Sequence, residues 1–208
     1  MKDFHFEWCG GHAVTNFVNT LDERLSLAPK ELLLNYDALI DFARQANLIA
    51  RSTATRLTQS VAKPDAVRVL SRAVRLREAL FALLVAITSN ENAGEKDLSS
   101  VESEIHVAES ARGLALSEDR ITWLWQQPDA AERPLWELAL AAGSLLTFSY
   151  TRRRIKKCAA DDCGVIFVDD SRASSRRWCS MSVCGNRNKV RQFRIAHKGS
   201  GRVIHERN

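Results

Sequence analysis

The sequence predicts a mainly α fold: a helical N-terminal domain carrying a small β-hairpin, followed by a compact cysteine-bearing module. Three observations predict it. Apolar residues recur at three- and four-residue spacing through most of residues 1–150. One pair of apolar segments, Leu114–Leu116 and Ile121–Trp125, flanks the polar turn Ser117–Arg120. Four of the five cysteines fall in residues 151–208, in two close pairs.

The elements follow in order. Phe4–Trp8 alternates like a short strand and stops at Gly10-Gly11, a turn signal. From His12 to Leu27, Val14, Phe17, Val18, Leu21 and Leu25 keep helical spacing, and Pro29 ends the run. Asn35 is an N-cap candidate for a helix that buries Leu39, Ile40, Ala43 and Leu48. Ser52 would cap a short helix ending near Ala62, and Pro64 suits the first turn of a long one. In that helix Val67, Leu70, Val74, Arg77/Glu78 and Phe81 track one face, and the apolar stretch Ala79–Ile87 predicts burial all round. Asn90–Gly94 reads as a loop and Glu95 to about Ala111 as a weaker helix. After the hairpin, a loop over Gln126–Arg133 leads to an almost uncharged helix from Pro134. It passes Phe148 and ends in the basic block Arg152–Lys157, where cations suit the dipole.

Charge divides the chain. Residues 1–150 hold 15 Lys+Arg against 20 Asp+Glu, a net of −5, whereas residues 151–208 hold 15 against 5, a net of +10. An acidic body joined to a basic tail predicts that the tail alone meets a polyanion. No apolar run approaches the roughly 18 residues of a membrane span, and the first residues lack the pattern of a secretory signal. A cytoplasmic location follows as the expectation, and with it reduced thiols. The domain division expected is 1–150 and 151–208.

Reduced thiols in pairs need a reason. Cys158-x4-Cys163, fifteen residues, then Cys179-x4-Cys184 is the spacing of a structural metal site. Zn²⁺ takes four such ligands in a tetrahedron, and four protein ligands leave no position for a catalytic water. A tail this small could not otherwise bury enough apolar surface to fold. A redox pair, free buried thiols and an iron–sulfur cluster are the competing readings. Between the pairs, Val165–Val168 is a strand candidate and Asp169-Asp170-Ser171 a turn. Two ligands on a loop, a hairpin, then a ligand pair at a helix start is the order of a treble-clef finger.

Beyond Cys184, Arg187, Arg191, Arg194 and Lys198 recur at four, three and four residues and so line one helix face. Val190, Phe193 and His197 line another, expected to pack on the hairpin. Lys189, with Arg176 and Arg177 beside Trp178, adds cations, and Asn186, Asn188 and Gln192 add amides able to reach base edges. Asn186 is also a cap candidate for that helix. The plainer reading of the stripe is a solvated basic face.

The run Ser175–Val190, containing Cys184-Gly185-Asn186-Arg187, closely resembles the signature of the CGNR zinc finger, and Cys158–Asp170 fits the same pattern. Asn16–Asp22 resembles the N-terminal signature of the ABATE domain that such fingers follow. Together the two resemblances cover almost the whole chain. They imply a stress-related transcription regulator that binds DNA.

Two further groups stand out. Cys9, His12 and His5 could be read as a second metal site, though a single cysteine is usually a small buried hydrophobe. Asn16, Asn19, Thr20 and Asp22, with Arg24 close by, mark where a small ligand of the N-terminal domain would sit; internal hydrogen bonding is the commoner fate of such groups. No nucleophile elbow, phosphate loop or dinucleotide fingerprint is visible, so no catalysis is expected. The expected function is DNA binding through the zinc module, with duplex DNA as partner and two-fold pairing of chains to read paired half-sites. An RNA-binding module without regulatory input is the second reading, and an enzyme with its site in the N-terminal domain the third.

Overall fold

The computed structural model describes residues 3–117, 119–148 and 154–198. The described residues form seven α-helices and three two-stranded hairpins, and the first six helices share one apolar core with the last hairpin. Helix α1 spans Ala13–Val18 and buries Val14, Phe17 and Val18. His12 caps it, its Nδ1 accepting from the Val14 amide at 3.2 Å. The helix is far shorter than the expected run to Leu27. The Thr20 hydroxyl donates back to the Phe17 carbonyl at 2.7 Å, and Asn19 turns its amide away to another element. Polar side chains that compete for the backbone end a helix that apolar spacing alone would continue. A tight hairpin follows, β1 (Leu21–Asp22) paired antiparallel with β2 (Lys30–Glu31), and Leu25 and Leu27 are exposed on its loop. Phe4–Trp8 is not a strand. Side chains hold it instead: Asp41 Oδ2 accepts from the Phe4 amide at 2.8 Å, and Phe6 and Trp8 pack on Phe42.

Helix α2 (Tyr36–Gln45) begins as expected, with Asn35 Oδ1 accepting from the Ala38 amide at 3.0 Å. Helix α3 (Arg51–Ser60) begins after Ala50, so Ser52 lies in its first turn and caps nothing. Helix α4 (Lys63–Ser89) carries Pro64 in its first turn and runs 27 residues, about 40 Å at 1.5 Å per residue. Its buried seam is Val69, Ala73, Leu76, Leu80, Leu83 and Leu84, one position earlier than the stripe expected through Leu70, Val74 and Phe81, and Val67 is exposed. One residue turns a helix by about 100°, and the partly apolar flanks of this segment hid the difference. Asn90, left-handed at φ +56°, ends it.

Arg77, a member of the expected stripe, is buried with the seam. It is 2% exposed, inside the bundle, with Glu31 accepting from both its terminal nitrogens at 2.6 and 2.8 Å. Glu78 accepts from its Nε at 2.9 Å. A buried cation survives only when paired in this way.

Helix α5 spans Glu95–Ser110, and β3 (Arg112–Ser117) and β4 (Arg120–Trp125) form the predicted hairpin. Helix α6 (Arg133–Thr147) packs on α5 so closely that a Cβ on Gly143 would meet Ile105 at 3.3 Å. Its expected continuation into the basic block is wrong: α6 stops at Thr147, and Ile155–Lys157 form strand β5. The expected helical residues Arg152 and Arg153 lie outside the described residues. Strand β5 pairs antiparallel with β6 (Ile166–Val168). Ile155, Ile166 and Val168 join the apolar core of the helices, so the C-terminal module is seated on the helical body. Backbone bonds fix the seat: the Val168 amide donates to the Gly10 carbonyl at 2.7 Å. Asn19 does the work of a neighbouring strand, donating to the Ile166 carbonyl at 2.8 Å and accepting from the Ile166 amide at 3.1 Å. Among the described residues, no helix is long and apolar enough to cross a membrane.

Candidate metal centre and basic helix

The first ligand pair brackets the loop of the β5–β6 hairpin. The Cys158 amide donates to Val165 at 2.9 Å and the Cys163 amide to Ala160 at 3.0 Å, which folds the loop back. The second pair brackets a π-turn, Met181–Gly185, whose N-cap Ser180 accepts from the Val183 amide. The turn carries Cys184 round to the start of the last helix, α7 (Asn186–Lys198). Gly185 leaves room for the end of Met181, whose sulfur would lie 2.8 Å from a Cβ there.

These loops bring Cys158, Cys163, Cys179 and Cys184 together, all four buried, with their sulfurs within 4.8 Å of one another. Cys163 and Cys179 are 3.8 Å apart and Cys179 and Cys184 3.5 Å. A tetrahedron with Zn–S bonds of about 2.3 Å has edges of about 3.8 Å. Electrostatics agree with geometry. Hydrogen bonds from Cys163 and Cys179 hold the Cys158 thiol far below its ordinary range, while the same contact pushes Cys163 up to about 12. Cys179 is raised too, by Cys158 first and then Cys163. Each thiolate makes the next unfavourable, which is the repulsion a divalent cation relieves. The four-cysteine cluster is a zinc-binding site.

Two residues not singled out for the site hold its frame. Asp169 is fully buried and accepts from Lys156 Nζ at 2.6 Å, the Ser171 amide at 3.0 Å and the Arg176 amide at 2.9 Å. Burial works to raise its pKa, but these donors outweigh it and hold the carboxyl well below the usual range. The Asp-Asp-Ser run signalled a turn; the cation across the hairpin at Lys156 was the missed sign. Cys9 is the other. It packs against the cluster, and its carbonyl accepts from Arg176 at 3.0 Å. The second metal site weighed at Cys9, His12 and His5 does not form: His12 is a helix cap, and His5 is exposed beside Glu7.

The cations divide into two groups. Arg176 points inward, donating to the carbonyls of Trp178 at 2.9 Å, Cys9 at 3.0 Å and Cys179, with its guanidinium 4.6 Å from the Phe167 ring centre. The rest are at the surface. Arg177 is exposed over the Trp178 ring. Arg187 donates to Cys184 Sγ at 3.3 Å and pairs with Asp162, and Arg191 pairs with Asp161 at 2.8 Å. Lys189 and Arg194 are exposed. Lys198 ends the helix, and its side chain lies outside the described residues. Asn186 is not the cap expected of it; its backbone is already helical and its amide donates to Ser182 at 3.2 Å.

Nor does the apolar face of α7 pack on the hairpin. Val190, Phe193 and Ile195 are exposed, because the π-turn aims the helix away from β5 and β6. Phe193 stacks on His197 instead, at 3.9 Å between ring centres. Val183, Val190 and Ile195 alternate with Arg187, Arg191 and Arg194 along an open groove of about 960 Å³.

A second open groove, about 1,070 Å³, lies between the helical body and the finger, with Trp8, Asp22, Arg24, Gly164 and Arg187 on its walls. Of the four residues considered for a ligand, Asn19 and Asp22 line it. Asn16 and Thr20 are buried and bonded inward, Asn16 Oδ1 accepting from the Gly10 amide at 2.8 Å and the Thr20 hydroxyl receiving Arg77 Nη1 at 3.3 Å.

The comparisons with known proteins agree with this architecture. Residues 154–197 match the CGNR zinc finger, and residues 11–148 match the ABATE family, described as "Putative stress-induced transcription regulator". No curated protein matches the chain. With well over half its length under one family model and the zinc-bearing segment under the other, the chain belongs to the ABATE family and ends in a CGNR zinc finger.

Proposed function

We infer that the chain is a non-catalytic, DNA-binding transcription regulator that lays α7 against duplex DNA. The observation that carries this reading is the placement of Arg187, Lys189, Arg191 and Arg194 on a helix anchored by a zinc ligand and clear of the body. Two of these arginines rest on exposed carboxylates, Asp161 and Asp162. Exposed pairs of this kind are worth about 0–1 kcal/mol, so phosphate can displace the carboxylates. Arg176 is left out of the interface, since its guanidinium serves the finger. The exposed Val183, Val190 and Ile195 beside the cations suit a surface that meets sugar edges and thymine methyls as well as phosphate. Two chains about a two-fold axis would offer two such helices to paired half-sites.

Binding titrations of the zinc-loaded chain with duplex DNA and with structured RNA, over a range of salt, test the reading. Each phosphate contact contributes about 0.9 to the slope of log K against log salt on duplex DNA. Replacing Arg187, Arg191 and Arg194 by Ala should flatten that slope by about 3 and leave the zinc content unchanged. An unchanged slope removes α7 from the interface. Tighter binding to RNA at every salt concentration favours the RNA module instead.

A further inference from the structure

The β3–β4 ribbon presents the barest apolar face of the helical body. Its register sets Leu114 opposite Trp123 and Leu116 opposite Ile121, so all four side chains share one face. Leu114 is 65% exposed, Leu116 75%, Ile121 69% and Trp123 56%. Among the described residues, the two strands pair only with each other. The base is held firmly: Trp125 stacks on Trp136 at 5.3 Å, and the Arg112 and Arg133 guanidinium groups lie 4.4 and 4.3 Å from the ring centres of Trp123 and Trp125. Beyond that base the outer face lies open. A two-stranded ribbon with a bare apolar face is marginal in water, and a contiguous patch of this sort marks an interaction site.

We propose that this face is where two copies of the chain meet, ribbon on ribbon, about a two-fold axis. Charge permits a second copy. Arg112 shares the outer face with Leu114, Leu116, Ile121 and Trp123, but its guanidinium is held over the Trp123 ring at 4.4 Å and pairs with Glu109 at 3.9 Å, so the face meets itself at little like-charge cost. Area favours it. The four residues expose roughly 500 Å² per chain, so complete mutual cover removes about 1,000 Å², the least that a specific interface buries. Two flat ribbon faces stacked about 10 Å apart make a small two-layer sandwich with those eight side chains as its interior. The contact is isologous, each residue meeting its counterpart's neighbourhood, so the assembly closes at two. This deepens the two-chain reading above by assigning its surface; the test contains no nucleic acid, so its failure and that of the DNA reading are separate.

Sedimentation equilibrium of the zinc-loaded full chain, over roughly 1–100 µM in the absence of nucleic acid, should carry the mass from 23.3 kDa towards twice that value. The double variant Leu116→Thr/Ile121→Thr keeps strand propensity on a surface with nothing packed beneath it. It should associate at least tenfold more weakly, with unchanged circular dichroism and zinc content. Dilution of the unaltered chain should shift its Trp emission to the red, and Trp123→Phe should abolish that shift. A chain that stays at 23.3 kDa throughout overturns the proposal, as does a dimer that the double variant leaves intact. Ribbon-dependent binding of a monomer to lipid vesicles also overturns it, and assigns the face to a membrane surface.

Discussion

Asn19→Ala removes one carboxamide, and the structure says how much that carboxamide holds. Its two bonds to Ile166, donated at 2.8 Å and accepted at 3.1 Å, satisfy both backbone groups of a residue that is fully buried. With Asn19 in place, Ile166 has no surface open to water. An unsatisfied buried backbone group costs about 1–3 kcal/mol, so the loss of both should cost about 2–6 kcal/mol. At a domain size near 200 residues, 1 kcal/mol moves the midpoint by about 2–4 °C, so the melt should fall by at least about 4 °C. Asn19→Asp should do no better, since its carboxylate keeps the acceptor but faces the Ile166 carbonyl with a negative charge. The assay is thermal or urea unfolding followed by circular dichroism. Zinc release to a coloured chelator, measured in parallel, reports the finger. Loss of the seat should expose the β5–β6 hairpin and speed zinc release along with the drop in stability. A variant that melts within 1 °C of the unaltered chain would refute the claim that Asn19 stands in for a strand.

Other outcomes follow from the same coordinates. Cys179→Ser should abolish stoichiometric zinc by elemental analysis while the helical signal of residues 13–147 persists; retained zinc would overturn the ligand set. Gly11→Ala should be severely destabilising, because Gly11 sits at φ +73° and a Cβ would lie 2.7 Å from the Val168 carbonyl oxygen. Gly185→Ala should be mild, costing under about 1 kcal/mol, because the atom it meets is the movable end of Met181; equal melts for the two variants would contradict this ordering. Burial works to raise the pKa values of Glu31 and Glu78, but Arg77, and Arg24 at Glu78, outweigh it and hold both below the ordinary 4.5. Their stabilisation is therefore complete above that value and is lost as pH falls through their folded values. The gap in unfolding free energy between the unaltered chain and Glu31→Gln should be level above about pH 5 and shrink below about 4.5. A gap independent of pH between 6 and 3 would contradict the pairing.

The metal centre was the most legible part of the chain, because cysteine spacing encodes a local geometry that no distant contact needs to complete. Asn35, Pro64 and the β3–β4 turn were legible for the same reason. What escaped was set by partners far along the chain. Asn19 and Thr20 read as a helix interior or a ligand site until Ile166 and Arg77 are brought beside them. Ile155 read as the tail of a helix because its strand partner, Val168, lies beyond the metal loop. Arg77 falls on the expected apolar stripe with no sign of what would pair it there; only the fold brings Glu31 beside it. The face of α7 was misread because amphipathic spacing shows that a helix has an apolar side but not whether anything covers it.

The joining of Ile155, Ile166 and Val168 to the helical bundle limits how such chains can be rebuilt. The two family segments meet end to end in sequence, yet they are not interchangeable cassettes. A chimera spliced near residue 150 would strip the donor finger of its floor and leave the recipient body with an apolar scar. Grafting this finger elsewhere would require transplanting the docking ledge, Gly10, Gly11 and Asn19, from the opposite end of the chain.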